Sequence, residues 1–169
     1  EVLKRDGDDF ELLYDPDNAV IQTGVGLYSW MILKPYERPY AAEGYKVSEL
    51  QPTYAAIDFT KCVDYKGSNP AEYGLDDPIA SIFVEYYVTI TEELEEPETD
   101  PETGNEVTTR TYQEPHNIKL YIGNADEEGN YYVRMEGSNP IYTMSKDKVD
   151  KMLNTDPFSI ISSFISIPN

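Results

Sequence analysis

The chain has 169 residues and carries 13 Lys and Arg against 32 Asp and Glu, a formal net charge of -19. That length suits one domain with its own core, while the charge repels phosphate backbones and anionic lipid surfaces and so argues against nucleic acid as a partner. Nothing approaches the roughly 18 consecutive apolar residues of a membrane-spanning helix. Cys62 and His116 are the single Cys and single His, which rules out an intrachain disulfide and leaves too few soft ligands for structural zinc. No catalytic, cofactor-binding or metal residue is assigned, and no cofactor is expected. The chain opens at Glu1 without an apolar leader and is expected to be a mature form or an excised domain.

The first ten residues are charged and show no sustained period. F-E-L-L-Y then alternates and meets D-P-D-N, a strand followed by a turn in which Pro16 presets φ. Two short apolar segments around Gly24 and Gly26, rich in β-branched and aromatic residues, read as strands that end before Pro35. Within 42–59, Val47, Leu50, Tyr54 and Ile57 recur at three- and four-residue intervals, the stripe of a first helix. Either Ser48 and Gln51 form a capping box, or the helix starts earlier and Pro52 kinks it.

K-C-V-D-Y reads as a short strand in which Cys62 is expected to be buried as a small apolar group. I-A-S-I-F-V-E-Y-Y-V-T-I is the longest strand, with Ala80, Ile82, Val84 and Tyr86 alternating against Ser81, Phe83, Glu85 and Tyr87. The insert 91–106 holds Glu92, Glu93, Glu95, Glu96, Glu98, Asp100, Glu102 and Glu106 with no Lys or Arg. Self-repulsion and two prolines favour an extended mobile loop there, with D-P-E-T-G-N-E as the turn of a long hairpin. N-I-K-L-Y-I-G, Y-Y-V-R-M and I-Y-T-M form a three-strand meander whose turns use Gly129 or Asn130 and E-G-S-N-P. Ser145 caps a second helix with Val149, Met152 and Leu153 on one face and Asn154 as its stop. The tail 156–169 contains Phe158, Ile160, Ile161, Phe164, Ile165 and Ile167 and needs cover, from this domain or as the link to a further repeat.

The chemistry-bearing candidates are weak. Asp76-Asp77 and Asp126-Glu127-Glu128 are carboxylate groups, but they stand beside Pro78 and Gly129, where such residues cap turns. Neither D-P-D-N nor D-P-E-T-G-N-E has the ligand spacing of a calcium loop. Gly24-Val25-Gly26 lacks the third glycine and helix of a phosphate cradle, and His116 has no acid or nucleophile pattern around it. The 15 tyrosines suit half-buried sheet positions, with a tyrosine-lined binding surface as the alternative.

W-M-I-L-K-P, then Y-G-L-D-D-P-I-A-S-I-F-V, then L-Y-I-G-N-A-D-E-E-G-N-Y-Y-V-R-M-E-G-S-N-P-I-Y-T-M before a closing helix resemble, in that order, the bacterial family called domain of unknown function 4340, over residues 10–153. The resemblance implies an extracytoplasmic domain attached to the bacterial membrane by a segment N-terminal to it, often repeated in tandem, with some relatives similar to auxiliary components of ABC transport systems. It supplies no catalytic residues. The long insert 91–106 and Pro52 depart from the family pattern.

The expected fold is α+β: one domain over 1–155, an antiparallel sheet of at least five strands carrying two helices on one face, and the acidic hairpin insert. The expected function is non-enzymatic, an envelope-exposed binding or scaffolding domain with a protein partner, making no membrane contact of its own and of no assigned oligomeric state. A carbohydrate- or peptide-binding module with a tyrosine surface is the alternative, and a hydrolase using surface carboxylates a third.

Overall fold

A computed structural model describes residues 1–17 and 28–162. The chain divides into two compact units, the first made of Glu1–Phe83 with Lys119–Asn169 and the second of Val84–Ile118. The first of the two segments around Gly24 and Gly26 and the tail residues Phe164, Ile165 and Ile167 lie outside the described residues, while the second segment includes the strand Trp30–Lys34, which ends before Pro35.

The architecture is α+β. Nine strands are described: β1 Val2–Lys4, β2 Glu11–Tyr14, β3 Trp30–Lys34, β4 Tyr40–Ala41, β5 Lys61–Asp64, β6 Ala80–Thr99, β7 Glu106–Ala125, β8 Tyr131–Met135 and β9 Ile141–Met144. Six form one sheet in the order β1-β6-β7-β8-β9-β5, and β2-β3-β4 form a second, three-stranded sheet. The pairs β1–β6, β7–β8, β8–β9 and β5–β9 are antiparallel.

Alternation explains which side of each strand is inside. Ala80 and Ile82 of β6, Leu120 and Ile122 of β7, and Val133 of β8 are buried, each at a two-residue period where it occurs twice. Ile141 and Met144 of β9 and Met31 and Ile32 of β3 join them. Each such side chain removed from water contributes on the order of 1.5–3 kcal/mol before the entropy of ordering is deducted.

Helix α1, Gly44–Ala55, begins before Ser48, whose hydroxyl donates back to the Gly44 carbonyl at 3.0 Å. That excludes the Ser48–Gln51 capping box and leaves Pro52 inside the helix, close to its end. Only Val47 of the expected stripe is fully buried within the helix, because Ile57 lies past Ala55 and Leu50 is half-buried. Tyr54 instead uses its hydroxyl, which donates to the Met152 carbonyl at 2.8 Å and meets the Thr155 hydroxyl at 2.7 Å. Burial raises its pKa, and the Thr155 bond partly offsets the rise.

Helix α2, Lys146–Leu153, follows Ser145 and buries Val149 and Met152. Ser145 acts through its backbone, its carbonyl accepting the Val149 amide at 3.1 Å, rather than through its side chain. A short helix α3, Pro157–Ile160, is capped by Asp156, which accepts the Phe158 amide. Ile160 is buried, Ile161 bridges to Ala42, and the Ser162 amide donates to the Ala41 carbonyl at 2.9 Å. Ile160 is therefore covered, whereas Phe158 at the start of the apolar tail stays 76% exposed.

Three expectations change. Val2–Lys4 is a strand despite its charged surroundings, because β6 offers it an edge: Val2 stands opposite Ile82 and Lys4 opposite Ala80. Cys62 is exposed rather than buried, since β5 is the outermost strand and pairs with β9 alone in the sheet order. Residues 91–99 belong to β6 rather than to a loop. A strand there bonds its backbone to a neighbour while leaving most acidic side chains in water.

Candidate functional site

The best-organised motifs of the sequence meet one another in the first unit. Y-G-L-D-D-P leaves a 3₁₀ turn, Pro70–Tyr73, through Gly74 at φ 70°, a left-handed conformation that glycine adopts without strain. Leu75 is then buried, and the Ile79 amide donates to the Ile122 carbonyl at 2.8 Å. Gly123 of the I-G-N-A segment lies so close beneath this turn that a Cβ there would overlap the Tyr73 carbonyl oxygen. The Tyr73 ring packs edge-on against Tyr132 of β8, centroids 4.8 Å apart. Tyr73, Gly74, Leu75, Gly123 and Tyr132 thus form a packing node, and their chemistry is that of a fold.

The carboxylate candidates are turn residues as well. Asp126 Oδ1 accepts the Glu128 and Asn130 amides at 2.9 and 2.8 Å, and Gly129 takes the positive φ of that turn. Asp77 pairs with Arg5 at 3.1 Å on an exposed surface, a contact worth about 0–1 kcal/mol. Asp64 accepts the Lys66 and Ser68 amides; desolvation raises its pKa, but these amides and that of Gly67 outweigh it and hold the carboxyl below the usual Asp value. No group of three or more His, Cys, Asp or Glu able to hold a metal ion occurs among the described residues.

The second unit, Val84–Ile118, has a different character. The eight acids of 91–106 are joined by Glu85 and Glu114, against Arg110 as its single Lys or Arg. Asp100 starts its turn by accepting the Thr103 and Glu102 amides at 2.9 and 2.8 Å, which holds its carboxyl below the usual Asp value. The Thr91 and Thr111 hydroxyls meet at 3.2 Å, and the Tyr86 ring stacks on His116 with centroids 5.7 Å apart. These two contacts share one register. The acidic residues 91–99 of β6 run from this threonine pair towards the turn, and β7 resumes at Glu106.

That register sorts the side chains into faces. Tyr86, Val88, Ile90, Tyr112, Glu114 and His116 share one, with the Glu114 carboxylate 3.8 Å from the His116 ring, and Tyr87, Thr89, Thr91, Thr111 and Gln113 share the other. Val88 and Ile90 are half-buried, while Tyr86 is 45% and Tyr112 43% exposed. Neither the apolar face nor its register was readable as a site in the sequence, where only the acidic run stood out. The signal available was the two-residue alternation of Tyr86, Val88 and Ile90, which gains meaning only once Tyr112 is known to lie across from it.

Against known proteins, the model of a family described as Domain of unknown function (DUF4340) matches residues 30–166. The chain belongs to this family. The match begins at β3 rather than near Phe10 and reaches past Leu153 into the apolar tail, so β1 and β2 precede the matched range. No curated protein and no solved structure matches. The packing node of Tyr73 and Gly123 lies inside the matched range, as does the acidic unit. Among the described residues, no helix of this family member is long and apolar enough to cross a membrane.

Proposed function

We propose that this chain is a binding or scaffolding domain rather than an enzyme, exposed on the extracytoplasmic side of a membrane-anchored protein and accessory to an ABC transport system. The observation that carries this reading is the packing node: the Y-G-L-D-D-P and I-G-N-A motifs hold one another through the Tyr73–Gly123 approach, and Tyr73 meets Tyr132 ring to ring. Motif residues used for packing leave function to a surface that the fold presents. The acidic turn residues Asp64, Asp100 and Asp126 likewise cap backbone amides.

Fractionation of cells expressing the full-length gene product tests the placement. The expected result is recovery with membranes that resists alkaline extraction, with the domain cleaved by protease added outside spheroplasts. Recovery in the cytosol, or protection from that protease, overturns it. Co-purification of an ATP-binding transport subunit with the full-length protein is expected, and its absence from cross-linked membranes removes the transport role.

A second reading, a carbohydrate-binding module, draws on one pair: Tyr14 and Trp30 rings lie 4.9 Å apart with Tyr14 half-exposed. Trp30 is the single tryptophan, so its emission reports on that site alone. Saturable quenching by an oligosaccharide favours this second reading, and an unchanged spectrum removes it.

A further inference from the structure

We infer that the second unit, Val84–Ile118, docks a basic, extended segment of a partner protein across the face formed by Tyr86, Val88, Ile90 and Tyr112. The inference rests on the reading of the chain as a binding domain and names the chemistry of its partner.

Three observations select this occupant. An apolar face on a hairpin is useful only when something lies on it, and a two-stranded hairpin by itself is marginal in water. Here two tyrosines of that face are each more than two-fifths exposed, Ile90 lies across from Tyr112, and Glu114 lies across from Val88. Tyrosine supplies large contact area at a low entropic cost, which makes it a frequent anchor at interfaces.

Charge then decides what approaches. The unit carries Arg110 against ten acids, and Arg110 is itself engaged by Glu98 at 3.2 Å. A second copy of the chain would bring the same excess to the contact and be repelled, as would an anionic lipid surface. A segment carrying Lys or Arg beside apolar residues meets both features at once, its apolar side chains on the face and its cations towards Glu114 and the acidic residues of β6.

The backbone selects the face over the edge. β6 contains Pro97 and β7 contains Pro115, and each removes a donor from its strand, a device that discourages pairing with a further strand. The partner is therefore held by side chains across the sheet rather than by added ladder bonds.

The test uses the whole chain and a blocked ten-residue peptide alternating Lys and Val, followed by fluorescence anisotropy. The expected result is saturable binding that weakens by about tenfold or more on raising salt from low to physiological strength. The combined change E92Q, E93Q, E95Q and E96Q is expected to weaken it by about tenfold at low salt. Ile90→Thr with Tyr112→Thr, which keeps β propensity, is expected to weaken it by a similar factor, while Thr89→Ala on the opposite face leaves it unchanged. Circular dichroism of each variant must match the parent; should the Thr variants lose structure, the charge variant and the peptide controls still decide.

Equal binding of a peptide alternating Lys and Ser overturns the apolar half of the inference, and absence of binding overturns the whole. A concentration-dependent dimer that Ile90→Thr abolishes would assign the face to a second copy instead and overturn it too, as would binding to phosphatidylserine vesicles. Loss of peptide binding leaves the fractionation result intact, and a cytosolic location leaves the peptide result intact, so the two failures are distinguishable.

Discussion

The two units of this chain use the same kind of backbone for opposite purposes. In the first, strand alternation carries Ile82, Leu120, Ile122 and Val133 into a core where all are at most 1% exposed. In the second, the same strands continue, yet Tyr86, Tyr87 and Tyr112 stay between 43% and 55% exposed. Strand formation alone therefore does not make a core. What differs is the supply of apolar neighbours: helices α1 and α2 contribute Val47, Val149 and Met152 to the first unit, whereas the second is rich in Glu and Thr.

The sharpest way to break this contrast is truncation in each unit. Ile122→Ala is expected to cost about 4 kcal/mol in urea unfolding, the range for a fully buried branched side chain. Ile90→Ala, half-buried in the second unit, is expected to cost about 1 kcal/mol or less by the same measurement. Equal losses at the two sites would show that the second unit has a core of its own.

Next in size is Gly123→Ala. Its methyl group would overlap the Tyr73 carbonyl, a backbone atom that cannot rotate aside, and a loss of about 3 kcal/mol follows from overpacking. A parental midpoint would remove the packing node as the reason for the motif. Smaller still, Tyr54→Phe deletes the donor to the Met152 carbonyl and is expected to lower stability by about 1 kcal/mol.

The smallest effect concerns the turn of the second unit. Its amides hold the Asp100 pKa below the ordinary value of 3.8, so the stabilising contribution is present above that value and fades as pH falls through the lowered one. The Thr103 amide, which donates to Asp100, is expected to exchange faster in acid below about pH 4 than its residual intrinsic rate explains. In Asp100→Asn that acid-dependent step should disappear; if it persists, another group controls the turn.

Much of the fold was legible because short-range physics dictated it. The meander 117–144 alternates over Leu120 and Ile122, its turns carry Gly129 and Gly137 at positive φ, and Val149 and Met152 mark the buried side of α2. Pro52 was ambiguous because a proline is compatible with the first turn of a helix or with strain inside one, and only the Ser48 hydroxyl bond to Gly44 shows where the helix begins. Cys62 was misplaced because strand composition does not reveal which strand lies at an edge. The charged start was missed since Val2–Lys4 becomes a strand only by pairing with β6, where Leu3 stands opposite Ser81, 78 residues away.

By itself the sequence determined the family, the turns, the meander and the closing helix, each set by contacts within a few residues or by motifs in order. Tertiary structure decided that Tyr73 lies over Gly123, that β5 is an edge, and that Tyr112 shares a face with Ile90. Those are pairings between distant segments, and their register depends on bulges and strand order that no local periodicity encodes. The acidic run could be counted in the sequence, but the apolar face beside it exists only once two strands are aligned.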